Sequence, residues 1–202
     1  DPRSYPKAKR QRSKEWGGRK RWKDMVFPAR LGTTMLNELM VMALIRALDK
    51  SLGKQYAPKS IKIDDELETS SAYDASKDAI VIRKEPKNDF DYCFMIAHEW
   101  RHCYQVKTKD PCLEGYRQRS EFKSADEYNM QKAEVDANAF AWYIVASLTG
   151  FKAKPLFQGL GEEPKKAIEA RYGEMLAEQD KLKRKGGANM ACKKKKGGKK
   201  RK

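Results

Sequence analysis

Two histidines are all that this 202-residue chain contains. That scarcity excludes a metal site built on three imidazoles and leaves any catalytic histidine only two positions to occupy. The four cysteines (Cys93, Cys103, Cys112 and Cys192) form no C-x-x-C pair and no tight framework. They read as reduced thiols, two or three of them acting as small buried apolar residues, not as the staples of a secreted scaffold. Long apolar runs are missing too. Met35–Leu48 is broken by Asn37, Glu38 and Arg46, so it is not a transmembrane span. No secretory leader is visible, since the first apolar stretch follows a charged arm instead of a short basic region. The expectation is a cytoplasmic protein with no transmembrane segment.

Charge is plentiful but uneven. The formal net charge is +16. Residues 1–30 hold 11 Lys/Arg against 3 Asp/Glu, and residues 181–202 hold 12 Lys/Arg and no acid. The stretch between them is mildly acidic, with 21 basic and 25 acidic residues. The pattern describes a globule, residues 31–180, between a basic N-terminal arm (1–30) and a Lys-rich, disordered tail (181–202). Basic arms of this kind hold anionic polymers by counterion release. Candidate nucleic-acid contacts are Lys193, Lys194, Lys195, Lys196, Lys199, Lys200, Arg201 and Lys202. Trp16, Trp22 and Phe27 are set among the charges of the first arm, where aromatics can stack on bases or pack back on the domain.

Within the globule, Leu36, Leu39, Met40, Ala43, Leu44, Ala47 and Leu48 fall at three- and four-residue spacing. They predict a core-facing helix from Thr33 or Thr34 to about Leu52, stopped at Gly53. Ser60–Glu68 and Ala79–Lys84 read as extended pieces flanking a turn-rich Ser70–Asp78, and the continuous run Ala79-Ile80-Val81-Ile82 suits a central or site-lining strand. A helix over Phe90–Gln105 follows, capped by Asn88 or Asp89, with Cys93, Phe94 and Ala97 facing the core. Ser124-Ala125-Asp126-Glu127 reads as a capping box opening a helix that runs to Thr149 and stops at Gly150. A last amphipathic helix should have Pro164 at its first position and carry Ile168, Tyr172, Met175 and Leu176 inward, before decaying into the tail.

Both histidines fall on the second of these helices, as His98-Glu99-Trp100-Arg101-His102. One helical turn puts residues i and i+4 on one face, so both imidazoles can reach a single metal ion. Glu99 projects toward the ion's open position, the place of a general base. A catalytic zinc normally takes three protein ligands, and the third must here be Asp, Glu or Cys. In Glu134-Val135-Asp136-Ala137-Asn138-Ala139-Phe140-Ala141, Glu134, Ala137, Asn138 and Ala141 share one face. The alanines allow close approach, Glu134 can reach the metal, and Asn138 can accept a hydrogen bond from the other nitrogen of a ligand histidine. Asp136, about 200° round the helix, is the rival ligand, and Cys103, beside the second histidine, is another.

The two motifs together resemble the gluzincin metallopeptidases, and more closely the ImmA/IrrE-type family of bacterial and phage enzymes. There a strand precedes the histidine motif and a later helix reads roughly E-x-E-A-[ND]-x-F-A. The likeness covers the order of elements over about residues 35–150. It implies an α+β, zincin-like fold, zinc on His98, His102 and Glu134, Glu99 as base, and Asn138 as a support of the ligands. A bacterial host cell or a phage virion is the setting it suggests. Arg101 and Trp100 depart from it, since the family usually has a small residue before the second histidine and an aliphatic one before that.

The function expected is hydrolysis of a peptide or protein substrate, Glu99 taking a proton from the attacking water and passing it to the leaving amine. The oxyanion would need a second electrophile, from Tyr104, Tyr128, Tyr143 or an arginine. An extended substrate could pair with the edge of Ala79–Lys84. The rival expectation is a non-enzymatic nucleic-acid-binding or virion-associated phage protein, with a structural or vestigial zinc site, acting through its arms.

Overall fold

The computed structural model describes residues 38–64, 67, 69–83, 89–150, 157 and 159–196. The N-terminal arm with Trp16, Trp22 and Phe27 lies outside them, as do Leu36, Asn88 and residues 199–202. The described residues form a mixed α+β architecture of one three-stranded sheet and five α-helices. Helix α1 (Glu38–Leu52) ends where Gly53 takes a φ of 90°, a left-handed conformation that side chains resist. Its buried stripe is Val41, Leu44, Ile45, Leu48 and Leu52, with Met40 and Ala47 packed at its margin. The expected stripe was centred slightly differently. The bulkier Val41 and Ile45 take the core, and Ala43 is only partly buried.

Strands β1 (Ser60–Ile63), β2 (Ser71–Asp74) and β3 (Ala79–Ile82) lie in the order β1-β3-β2. β1 runs parallel to β3, pairing Ser60 with Ala79 and Ile63 with Ile82. β2 is antiparallel to β3, pairing Ser71 with Ile82 and Asp74 with Ala79. The central place of Ala79–Ile82 follows from its apolar run, with Ala79, Ile80 and Ile82 all at 0% exposure. It also corrects two expectations. Ser70–Asp78 is no mere turn, because it contains β2 and folds back as a hairpin. And Ala79–Lys84 cannot offer an edge to a substrate, because β3 is paired on both sides; among the described strands, the edges belong to β1 and β2.

Helix α2 (Asp89–Thr108) buries Tyr92, Cys93, Ile96, Ala97, Trp100 and Cys103 against the sheet and the other helices. Ser124 caps the next helix, its Oγ accepting from the Glu127 N–H (3.1 Å), but the return bond of the expected capping box is displaced by one residue, Glu127 Oε2 accepting from the Lys123 N–H (3.2 Å). That helix does not run through to Thr149, however. It divides into α3 (Ala125–Asn129) and α4 (Lys132–Thr149) at Gln131, whose ψ is 141°. The Gln131 amide brackets the Arg117 backbone, accepting from its N–H (2.8 Å) and donating to its carbonyl (3.1 Å). These bonds hold the break open and tie the preceding loop to it.

α4 is buried almost all round, the mark of a central helix, and ends at Gly150 with φ 69°. α5 (Glu162–Lys196) begins two residues before Pro164, which sits in the first turn, where a missing N–H breaks no helical bond. Ile168 and Met175 are buried and Tyr172 stacks on Trp142 at 4.1 Å, but Leu176 is 42% exposed, contrary to expectation. It lies about 100° round the helix from Met175, off the packed face. α5 also continues past residue 181, where decay was expected. Its Lys, Arg, Ala and Met residues favour helix enough to carry Gly186 and Gly187, each costing about 1 kcal/mol relative to alanine.

Candidate metal centre

α2 and α4 cross where both are lined by small or polar groups. Ala133, Ala137 and Ala141 of α4 have no exposed surface, so the backbones come close enough for a first-turn residue of α4 to reach across. That residue is Glu134, itself 1% exposed. Its Oε2 lies 3.3 Å from His98 Nε2 and its Oε1 3.3 Å from His102 Nε2, while the two Nε2 atoms are 3.0 Å apart. Four-coordinate zinc with bonds of about 2.0–2.1 Å separates neighbouring ligands by about 3.3 Å. The ligand atoms of the three side chains all lie within 4.8 Å of one another, near that spacing, and the group could hold a metal ion. The histidine side chains remain 15% and 12% exposed against 2% for Glu134, so the centre opens on the imidazole side.

Electrostatics match the geometry. Burial would lower the His102 pKa, but the hydrogen bond and charge of Glu134, and then the charge of Glu99, push it up to about 9. Burial would likewise raise the Glu134 pKa, yet hydrogen bonds from His102 and His98 hold its carboxyl well below the usual carboxylate range.

Glu99 follows His98 on α2 and is 5% exposed. Ser71, at the start of β2, donates from Oγ to Glu99 Oε1 (2.7 Å). One carboxylate oxygen of the candidate base is thereby held by the edge strand. Ser71 was not foreseen, because β2 itself was read as a turn.

Two phenols complete the shell around Glu134. Tyr128 of α3 donates to Oε1 (2.5 Å), Tyr116 donates to the same oxygen (2.8 Å), and their hydroxyls lie 2.7 Å apart. Tyr116 follows Gly115, whose φ of 73° turns the chain out of the 3-10 turn Pro111–Leu113. Burial, then the Glu134 charge, raises both phenolic pKa values, so both groups stay protonated donors. Of the electrophiles expected, Tyr128 is at the centre. Tyr104 packs edge-on against Tyr56 at 5.1 Å, and Tyr143 packs against the core. Tyr116 was missed, since nothing in its loop distinguishes it from other exposed tyrosines.

Asp136, expected as the rival ligand, points away from the His98, His102 and Glu134 cluster. It accepts from Arg101 Nε (2.6 Å), Arg171 Nε (2.9 Å) and Gln105 Nε2 (2.9 Å). Burial opposes its ionisation, but these donors, Arg101 first, hold its pKa below the ordinary value. Arg101 is thus turned into the protein and Trp100 is fully buried, so neither stands over the His98, His102 and Glu134 cluster. Cys103 also faces elsewhere, its Sγ donating to the Tyr56 carbonyl (3.2 Å). The partner of His102 Nδ1 is Gln105 Oε1 at 2.8 Å, not Asn138, which donates instead to Asn129 Oδ1 (3.2 Å). Of the candidate nucleic-acid contacts, Lys193, Lys194, Lys195 and Lys196 fall on the last turn of α5 and the other four lie outside the described residues. No described helix is long and apolar enough to cross a membrane.

Comparison with protein-family models, with curated proteins and with solved structures finds no match to this chain.

Proposed function

We propose that the chain is a zinc-dependent metallopeptidase of zincin-like design, with His98, His102 and Glu134 as ligands and Glu99 as general base. The observation that carries this reading is the convergence of His98 Nε2, His102 Nε2 and both Glu134 oxygens at 3.0–3.3 Å, with Glu99 on the same helix. Zinc held there would supply Lewis acidity, polarising the scissile carbonyl and making water acidic near neutral pH. Glu99 accepts a proton as water oxygen bonds to the carbonyl carbon, and returns it to the amide nitrogen as the C–N bond breaks. Ser71 keeps the other Glu99 oxygen occupied, so that the proton-accepting one is held in place. Tyr116 and Tyr128, both protonated, give their hydroxyl hydrogens to Glu134 Oε1, so they orient the carboxylate that would hold the ion. The outer edge of β2 is the strand edge adjacent to Glu99, which supports pairing with an extended peptide there in place of the edge expected for Ala79–Lys84.

Glu99→Gln should retain zinc and lose peptide cleavage by about 10²–10⁴-fold. A variant that keeps its metal and cleaves a peptide library as fast as wild type removes Glu99 from the mechanism.

The charge distribution favours a second, compatible role. Twelve basic and no acidic residues over 181–202 suit sequence-independent, salt-sensitive binding to nucleic acid, which would hold the enzyme near protein substrates assembled there.

A further inference from the structure

We propose that Gln105 is a positioning residue for the metal centre, fixing the tautomer of His102, and that Asp136, clamped by Arg101 and Arg171, fixes Gln105. The inference rests on the metal-site part of the reading above and not on peptidase activity.

Gln105 lies one turn past His102 on α2 and has no exposed surface, so each polar atom of its amide needs a partner inside the protein. Two partners are acceptors only. One is the backbone carbonyl of Ala133, at 3.2 Å, and the other the Asp136 carboxylate, at 2.9 Å. Only the NH2 end of the amide can face them. Its oxygen must then face His102 Nδ1 at 2.8 Å, because flipping the amide would set oxygen against two oxygens. An oxygen at that position requires Nδ1 to carry a hydrogen. In the neutral ring this leaves the lone pair on Nε2, the nitrogen that faces His98 Nε2 and Glu134.

The orientation is only as secure as Asp136, whose charge must persist in the interior. Arg101 Nε at 2.6 Å and Arg171 Nε at 2.9 Å each take one of its oxygens. Arg101 is further boxed between the Tyr104 and Phe140 rings, at 4.9 and 5.3 Å. Arg171 comes from α5. The helix that leads into the basic tail is therefore joined to a metal ligand through two buried side chains.

The test compares zinc affinity, by competition with a chromophoric chelator, in wild type, Gln105→Met and Asp136→Leu. Imidazole tautomers are read in parallel from long-range 1H–15N correlation spectra, which are simple here because the chain has two histidines. The expected results are an Nδ1-protonated, Nε2-ligated His102 in zinc-loaded wild type and a 10–100-fold loss of affinity in Gln105→Met. Asp136→Leu leaves the Gln105 NH2 end held by the Ala133 carbonyl alone, so its affinity should fall between those of wild type and Gln105→Met. Ligation of His102 through Nδ1 in wild type would overturn the inference, and this result needs no variant to fold. So would a folded Gln105→Met, by circular dichroism, or a folded Asp136→Leu, that binds zinc as tightly as wild type. Wild type that takes up no zinc overturns the metal-centre reading first and this inference with it.

Discussion

Zinc should bind this protein with a steep and calculable dependence on pH. In the metal-free chain the His102 pKa is pushed up to about 9 by Glu134, so at pH 7 only about one ring in a hundred is neutral. A metal ligand must be neutral, so zinc displaces about one proton from His102 on binding. Glu134 is anionic throughout and contributes none, because its pKa is depressed. Apparent affinity should therefore rise at least tenfold per pH unit between pH 6 and 8, at least a hundredfold in all, and the His102 contribution should level off above about pH 9. Chelator competition at each pH measures the slope, and calorimetry in buffers of different ionisation enthalpy counts the protons released. An affinity flat between pH 6 and 8 would refute the coupling of His102 to Glu134 that the distances imply. The same shift predicts how the metal-free fold responds. A raised histidine pKa adds stability that is fully present below the unfolded value of 6.5 and lost as pH rises through about 9. Glu134 works in the opposite sense, its contribution present above 4.5 and lost as pH falls far below it. Thermal melts of the metal-free protein should thus decline from pH 7 to 10 in this respect, and bound zinc should suppress the decline.

Other outcomes follow from packing and charge. Ala137→Leu places a larger side chain at a fully buried position on the Glu134 face of α4, and should cost about 1–3 kcal/mol in denaturant melts while weakening zinc binding. If it leaves both unchanged, the close approach of α2 and α4 is not what brings Glu134 to the histidines. Removing residues 183–202 should abolish retention on DNA at low salt and leave zinc binding intact, as Arg171 and its partners all precede the cut; a gel-shift salt series beside a chelator titration checks both halves.

The histidine motif and the E-x-x-A-N segment were legible because each is a helical repeat whose geometry is local. Residues four apart share a face wherever the helix ends up, and Glu134 needed only small neighbours to reach across. Gly53, Gly150 and the Ser124 cap were legible for the same reason, each being a short-range steric or hydrogen-bonding signal. What escaped depends on tertiary approach. Ser-Ala-Tyr-Asp carries no apolar alternation, so β2 is made by its hairpin with β3 and not by its own propensity. The break at Gln131 has no proline or glycine to announce it and is held by a loop residue, Arg117. Tyr116 arrives from that loop. The pairing of Gln105, not Asn138, with the imidazole escapes sequence reasoning because Ala133 and Asp136, on another helix, turn the Gln105 amide.

His98, His102 and Glu134 should act together as one metal site. Metal content per chain, measured by elemental mass spectrometry on wild type and Glu134→Ala prepared side by side and offered zinc, tests it most directly. About one zinc in wild type with a clear loss in the variant is the predicted result. No metal in wild type, or equal metal in both proteins, would contradict it.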